Sequence, residues 1–215
     1  MSRPVAIADR PATPRGLRQG DRLIEVAEHN CFACGTLNAH GLHLELHAQD
    51  GVCWSELELP ARFEGWEGIA HGGIVATILD EVMAWSLIEQ DAWGVTARMT
   101  VDFRKPVRIG RRIRGEGRLV EDRRRLFRTH GRLLDGLTGH LLAEAEGTYL
   151  AAPEERKREL KDRYQFRLVD EPDVVDGSTA GQPIGDPTPE PRPWPGRSIR
   201  PSDPTPAAVE PRGMG

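Results

Sequence analysis

Cysteine is scarce. Three in 215 residues cannot build a disulfide framework, so the chain reads as a product of a reducing compartment and the expected location is cytoplasmic. Long apolar runs are missing as well. No window approaches the ~18–20 apolar residues that span a bilayer, which excludes a membrane-crossing helix. Nor is positive charge in excess: 33 acidic against 29 basic side chains leave a formal net charge of −4, unlike a general nucleic-acid binder. Met1 to Gln19 has no apolar h-region, so no secretory signal is expected, while its Arg-rich, acid-poor composition leaves an organellar address open. Hydrophobic residues make up only 38% of the chain, but the deficit is uneven.

It is concentrated at the ends. From Glu171 onward the chain is dominated by Pro, Gly and Asp, with Pro183, Pro187, Pro189, Pro191, Pro193 and Pro195 in close succession. Proline breaks helices and cannot donate to a ladder, and the few large apolar side chains there cannot offset the entropy of ordering. We therefore expect a flexible N-terminal segment over 1–21, one folded domain over 22–151, a charged linker helix within 152–170 and a Pro-rich disordered tail over 171–215.

Within 22–151 two periodicities alternate. Leu42, Leu44 and Leu46 recur with period two, as in a half-buried strand, and Asp50-Gly51 supplies a hairpin turn into a second strand over 52–59. The apolar phase of that strand shifts between Trp54 and Leu57, which predicts a bulge. The run from Gly73 to Glu89 has no Pro and no internal Gly. Its length favours a helix, about 25 Å long, with apolar residues around most of its circumference and hence buried. Residues 95–103 alternate apolar and polar without a break, placing Thr96 on the polar face with Arg98, Thr100 and Asp102. Strands follow over 113–120, 126–134 and 141–150. Two strands, a buried helix and four antiparallel strands make an α+β domain.

Asp80 and Glu81 interrupt the apolar helix, and a buried carboxylate is costly unless it is paired or hydrogen-bonded. At 100° per residue, Ala76, Thr77, Met83 and Ala84 flank Asp80, whereas Ile74, Val75, Ile78, Val82 and Trp85 gather opposite. Asp80 thus sits on a face of mostly small side chains that a ligand or another chain can approach. Glu81 points about 100° away, which suits packing or an interface hydrogen bond better than a second catalytic carboxylate. His71-Gly72-Gly73 stands at the helix entrance, where free N–H groups and the positive end of the macrodipole can hold an anion or polarise a carbonyl. His71 and Asp80 are nine residues apart, which places them on opposite sides of a helix and ~13 Å apart along its axis. Two antiparallel copies, rather than one chain, can bring both groups to one small substrate, which favours a twofold dimer.

The run from Phe63 through His71-Gly-Gly to Asp80-Glu81, followed by Gly94 to Pro106, resembles the PaaI-like hotdog acyl-CoA thioesterase family, and within it the THEM-type branch. Cys31-Phe-Ala-Cys34-Gly and Asn38-Ala-His-Gly41-Leu also resemble the opening of many members. The resemblance implies the hotdog fold, a curved antiparallel sheet of five to six strands wrapped around one long helix. It also implies a homodimer or homotetramer that hydrolyses acyl-CoA. By that likeness, the Gly72 amide points at the thioester oxygen, His71 lines the same end, the partner's copy of Asp80 is the base or nucleophile, and Thr96 helps to hold the water. Some relatives carry Asn six residues before the histidine; here that position is Gly65. The substrate-binding candidates are Gly73, Glu81, Arg104 and Lys105, the two cations suiting a CoA phosphate. The reaction requires no metal or other cofactor. Cys31-x-x-Cys34 lacks the second pair that a structural zinc site usually has. The competing reading is a non-catalytic acyl-CoA-binding module; no helix-turn-helix in 1–40 or 151–215 supports a regulator. A hydratase or dehydratase fits the His-Gly-Gly entrance less well.

Overall fold

The apolar run after His71 folds as one helix, α1 (Gly72–Glu89), in a computed structural model that describes residues 16–19 and 22–170. Three strands of the sheet that holds it, β1 (Gly16–Gln19), β2 (Arg22–Glu25) and β3 (Leu46–Gln49), precede the hairpin partner β4 (Val52–Glu58). A small hairpin, β5 (Glu64–Trp66) and β6 (Ile69–Ala70), leads into α1. After α1 come β7 (Gly94–Phe103), β8 (Arg112–Asp122), β9 (Leu126–Asp135) and β10 (Leu141–Ala151), then helix α2 (Glu154–Arg163) and β11 (Arg167–Asp170). The strand order is β11-β2-β1-β3-β4-β8-β9-β10-β7.

Six of these strands, β3-β4-β8-β9-β10-β7, form the expected antiparallel body around α1. Three short strands extend it past β3. β1 lies parallel to β3, β2 antiparallel to β1, and β11 antiparallel to β2. The sheet therefore draws on residues 16–19 and 167–170, which lie outside 22–151. The tail expected over 171–215 falls outside the described residues.

Two local expectations are corrected. The alternating leucines over 42–46 are buried at Leu42, Leu44 and Leu46, but only Leu46 enters a strand. His43 has a left-handed φ of 52°, which breaks the extended run, so the leucines seal the core from a loop. The bulge expected in β4 is absent, since its register against β8 runs unbroken from Val52–Arg118 to Glu58–Arg112. Cys53 and Ser55 instead face inward, and Trp54 lies on the outer face. There it stacks on His47 with centroids 5.5 Å apart and carries the Arg114 guanidinium 4.8 Å above its ring. The same face buries Glu116, held by Arg114 at 2.7 Å and Arg132 at 2.6 Å, so its charge is paired on both sides.

The inner face of the sheet lets α1 approach closely because glycine lies beneath it. A methyl group added at Gly117 would stand 2.5 Å from the Val82 carbonyl carbon and 2.6 Å from the Met83 nitrogen, both helix backbone. At Gly115 it would meet Ile78 Cγ2 at 2.9 Å. Val75, Ile78, Leu79, Val82 and Met83 are almost wholly buried over this trough. Because a backbone atom cannot swing aside, Gly117→Ala should destabilise the fold by about 3 kcal/mol, the upper end for overpacking. That corresponds to a fall in Tm of roughly 6–12 °C, read by calorimetry.

Candidate active site

Asp80 emerges half-buried from the middle of α1, and two hydroxyls converge on its carboxylate. Thr96 Oγ1 donates to Asp80 Oδ1 at 2.9 Å. The Tyr149 hydroxyl donates to the same oxygen at 2.9 Å and lies 3.2 Å from the Asp80 carbonyl oxygen. Tyr149 is fully buried on β10. Burial, and then the neighbouring Asp80 charge, push its phenol well above the ordinary range, so it stays a protonated donor. Among the described residues Oδ2 accepts no hydrogen bond, so one carboxylate oxygen is held and the other is available.

The strict alternation of 95–103 puts Thr96 on the polar face; the structure puts it on the helix face. The register of β10 against β7 shifts between Thr148 and Tyr149, which pair with Arg98 and Thr96, so Ala97 is the extra residue. A single inserted residue reverses the phase of everything before it. Thr96 thereby joins Met99 and Val101 on the side that faces α1.

At the helix entrance His71 is the N-cap. Its Nδ1 accepts from the Gly73 N–H at 2.9 Å, and a neutral imidazole held that way presents its other nitrogen as a donor. The Gly73 amide is thereby committed. The Gly72 amide has no acceptor among the described residues, and Gly72 is exposed, so it is the free donor of the turn. Gly65 packs against this turn. A Cβ there would stand 2.9 Å from His71 Cα, so the position that is Asn in some relatives has no room for a side chain unless the backbone moves.

The other candidates separate. Glu81 leaves the helix in a different direction, accepting from Trp85 Nε1 at 2.8 Å and lying 3.9 Å from Cys31 Sγ. It belongs to a cluster with Cys31 and Cys34 rather than to the group around Asp80. Burial, together with the Cys31 charge, pushes its carboxyl up to about 7. Hydrogen bonds from the Cys34 thiol and from backbone amides pull Cys31 down to about 5. Arg104 is tied to Glu144 at 2.6 Å and to Asp102 at 3.3 Å. Lys105 parts from it and lines a groove of about 250 Å³ with Arg108, Arg111 and His140. Sequence reasoning missed this groove, which the β7–β8 connection forms together with His140 from the β9–β10 turn, and it missed Tyr149, which reads as an ordinary strand aromatic.

Comparisons with known proteins concern the segment that carries these residues. The sequence profile described as "Thioesterase superfamily" matches residues 67–138, which contain the helix entrance, Asp80 and Thr96. Human and Pongo abelii acyl-coenzyme A thioesterase 13 are each 29% identical over 103 residues, 47% of this chain and 74% of theirs. A crystal structure titled as a thioesterase superfamily protein superposes with a TM-score of 0.54 at 23% identity, over 56% of this chain. This chain spans 60% of the length of that one. No helix among the described residues is long and apolar enough to cross a membrane. The fold is that of a hotdog, and the match over residues 67–138, with the likeness to the two acyl-coenzyme A thioesterases, supports a thioester hydrolase.

Proposed function

We propose that the substrate is an acyl-CoA, hydrolysed to the free acid and CoA at a site built from two copies of the chain. The observation that carries this reading is the Asp80 carboxylate, half-buried on an apolar helix and fixed through one oxygen by the Thr96 and Tyr149 hydroxyls. The held oxygen sets the direction of the other. Oδ2 takes a proton from water as the water oxygen attacks the thioester carbonyl carbon. The Thr96 hydroxyl, donating to Asp80, keeps lone pairs with which to orient that water. Charge that develops on the carbonyl oxygen is met by the free Gly72 N–H, with His71 beside it. The tetrahedral intermediate then expels the thiolate, and the proton that Oδ2 took from water passes to it, so CoA leaves as the thiol and Asp80 is ionised again. Direct attack by the carboxylate, with hydrolysis of the resulting anhydride, uses the same residues.

The separation of His71, which caps the start of α1, from Asp80 in the middle of that helix supports the shared site. So does β7, which ends the sheet with its outer edge unpaired among the described residues. Val95 and Phe103 on it are 65% and 58% exposed, an edge that an identical strand can cover. The groove of Lys105, Arg108 and Arg111 offers cations for the CoA phosphates.

The test is CoA-thiol release by the purified chain across short, long and aromatic acyl-CoAs. Turnover is expected, with kcat about tenfold lower and KM unchanged in Tyr149→Phe, the loss of one hydrogen bond to a charged group. Binding without turnover of any acyl-CoA would overturn the reading in favour of a non-catalytic module.

A further inference from the structure

The residues 26–45 between β2 and β3 form no helix or strand. A stretch of about twenty residues without regular structure is unusual inside a packed domain and calls for something that fixes it. Its fixed point is a tight knuckle. The Gly35 N–H donates to the Cys31 carbonyl at 2.9 Å, and the Leu37 N–H to that of His29 at 3.2 Å. A Cβ on Gly35 would stand 2.5 Å from the Cys31 nitrogen, so the turn closes only around glycine. The knuckle delivers the thiols of Cys31 and Cys34 to one point on α1, where Glu81 meets them.

We propose that Cys31, Cys34 and Glu81 form a structural site for a divalent zinc ion, with water in the fourth position. The three ligand atoms lie within 4.8 Å of one another. Tetrahedral zinc with Zn–S of about 2.3 Å and Zn–O of about 2.0–2.2 Å separates sulfur from oxygen by about 3.5–3.7 Å. Cys31 Sγ is 3.9 Å from both Glu81 oxygens, so small side-chain rotations complete the geometry. Two sulfurs and one carboxylate form a donor set that suits zinc and disfavours magnesium or calcium, which demand oxygen.

The surroundings are those of a ligand set. Trp85 Nε1 donates to Glu81 Oε1 at 2.8 Å, the outer contact that commonly orients a metal-bound carboxylate. Among the described residues no salt bridge includes Glu81. Sequence spacing shows only the Cys-x-x-Cys pair. The third ligand comes from fifty residues away, on a helix where Glu81 reads as a packing or interface carboxylate. The ion would clamp the 26–45 segment onto α1, one residue from Asp80, without touching the reacting atoms.

The test uses the full chain, purified under reducing conditions without chelator, and does not depend on hydrolytic activity. Elemental analysis should find about one zinc per chain, as expected for a single three-ligand site completed by water. After stripping, cobalt(II) should restore the site with an intense thiolate-to-metal charge-transfer band. Zinc should also raise Tm and protect Cys31 from alkylation, read by mass spectrometry on the wild-type chain, so the result does not rest on variants that fold poorly. Trp85→Phe should weaken zinc affinity about tenfold, and Cys31→Ser with Cys34→Ser should abolish uptake. A reduced wild-type chain that takes up no zinc, or uptake that survives the double serine variant, would overturn the proposal. Neither result bears on whether the chain hydrolyses acyl-CoA.

Discussion

Asp80→Asn should lower kcat for every acyl-CoA turned over by 10²- to 10⁴-fold, the usual worth of a positioned general base. The substitution keeps the size and shape of the side chain. Asn can still accept from Thr96 and Tyr149 at the held oxygen, so packing and helix are preserved and the lost property is basicity at the other end of the group. KM should therefore stay close to that of the parent chain, because the carboxylate contributes to the transition state and not to holding CoA. Equal turnover by the Asn variant would remove Asp80 from the mechanism. A fall in Tm matching the loss of activity would recast it as a structural residue.

Gly72→Pro should be nearly as damaging, for a different reason. Gly72 is the first residue of α1, where proline is well tolerated because that N–H has no intrahelical acceptor and the ring's fixed φ suits the helix. His71 is already extended, with φ −60° and ψ 135°, as a residue before proline prefers. A Cβ at Gly72 makes only ordinary contact with the Phe103 ring, at 3.5 Å. The substitution thus deletes one hydrogen-bond donor and little else. Loss of a single oxyanion donor costs about 10²- to 10³-fold in kcat.

The pair of variants also tests whether the site is shared. If Gly72 of one copy serves Asp80 of the other, a dimer of one Gly72→Pro chain and one Asp80→Asn chain has one doubly defective site and one intact site. Random remixing of the two inactive proteins should then recover about a quarter of the parent activity. No recovery, in a mixture shown by mass spectrometry to exchange subunits, would place both groups in a single chain.

Much of the architecture is readable from residue order, and the failures have physical causes. Helix α1 and strands β8, β9 and β10 are long, and α1 is apolar around most of its circumference, so they stand out from local noise. β1 and β11 are four residues each, too short for a period to register, and they exist because β3 offers an edge for β1 to extend. Leu42 and Leu44 alternate correctly yet lie in a loop, because alternation reports which side chains are buried and not whether the backbone is paired. The candidate site divides in the same way. Asp80 stands out as an acid in an apolar helix, and the glycines at its entrance announce a close approach. Thr96 is placed on the wrong face because one extra residue at Ala97 leaves the composition of the strand unchanged while turning its beginning over. Tyr149 carries no local signal, and Glu81 shows only as a second acid in the helix, since Cys31 and Cys34, which it meets, come from a distant segment.

The glycine seat under α1 has a consequence for how this enzyme can diversify. Since the helix rests on main chain there, its height above the strands is set by peptide geometry and not by the size of interlocking side chains. Substitutions on the other flank of the helix, at Ala76, Thr77 or Ala84, leave that bearing surface untouched, so the neighbours of Asp80 can change while the acid keeps its station.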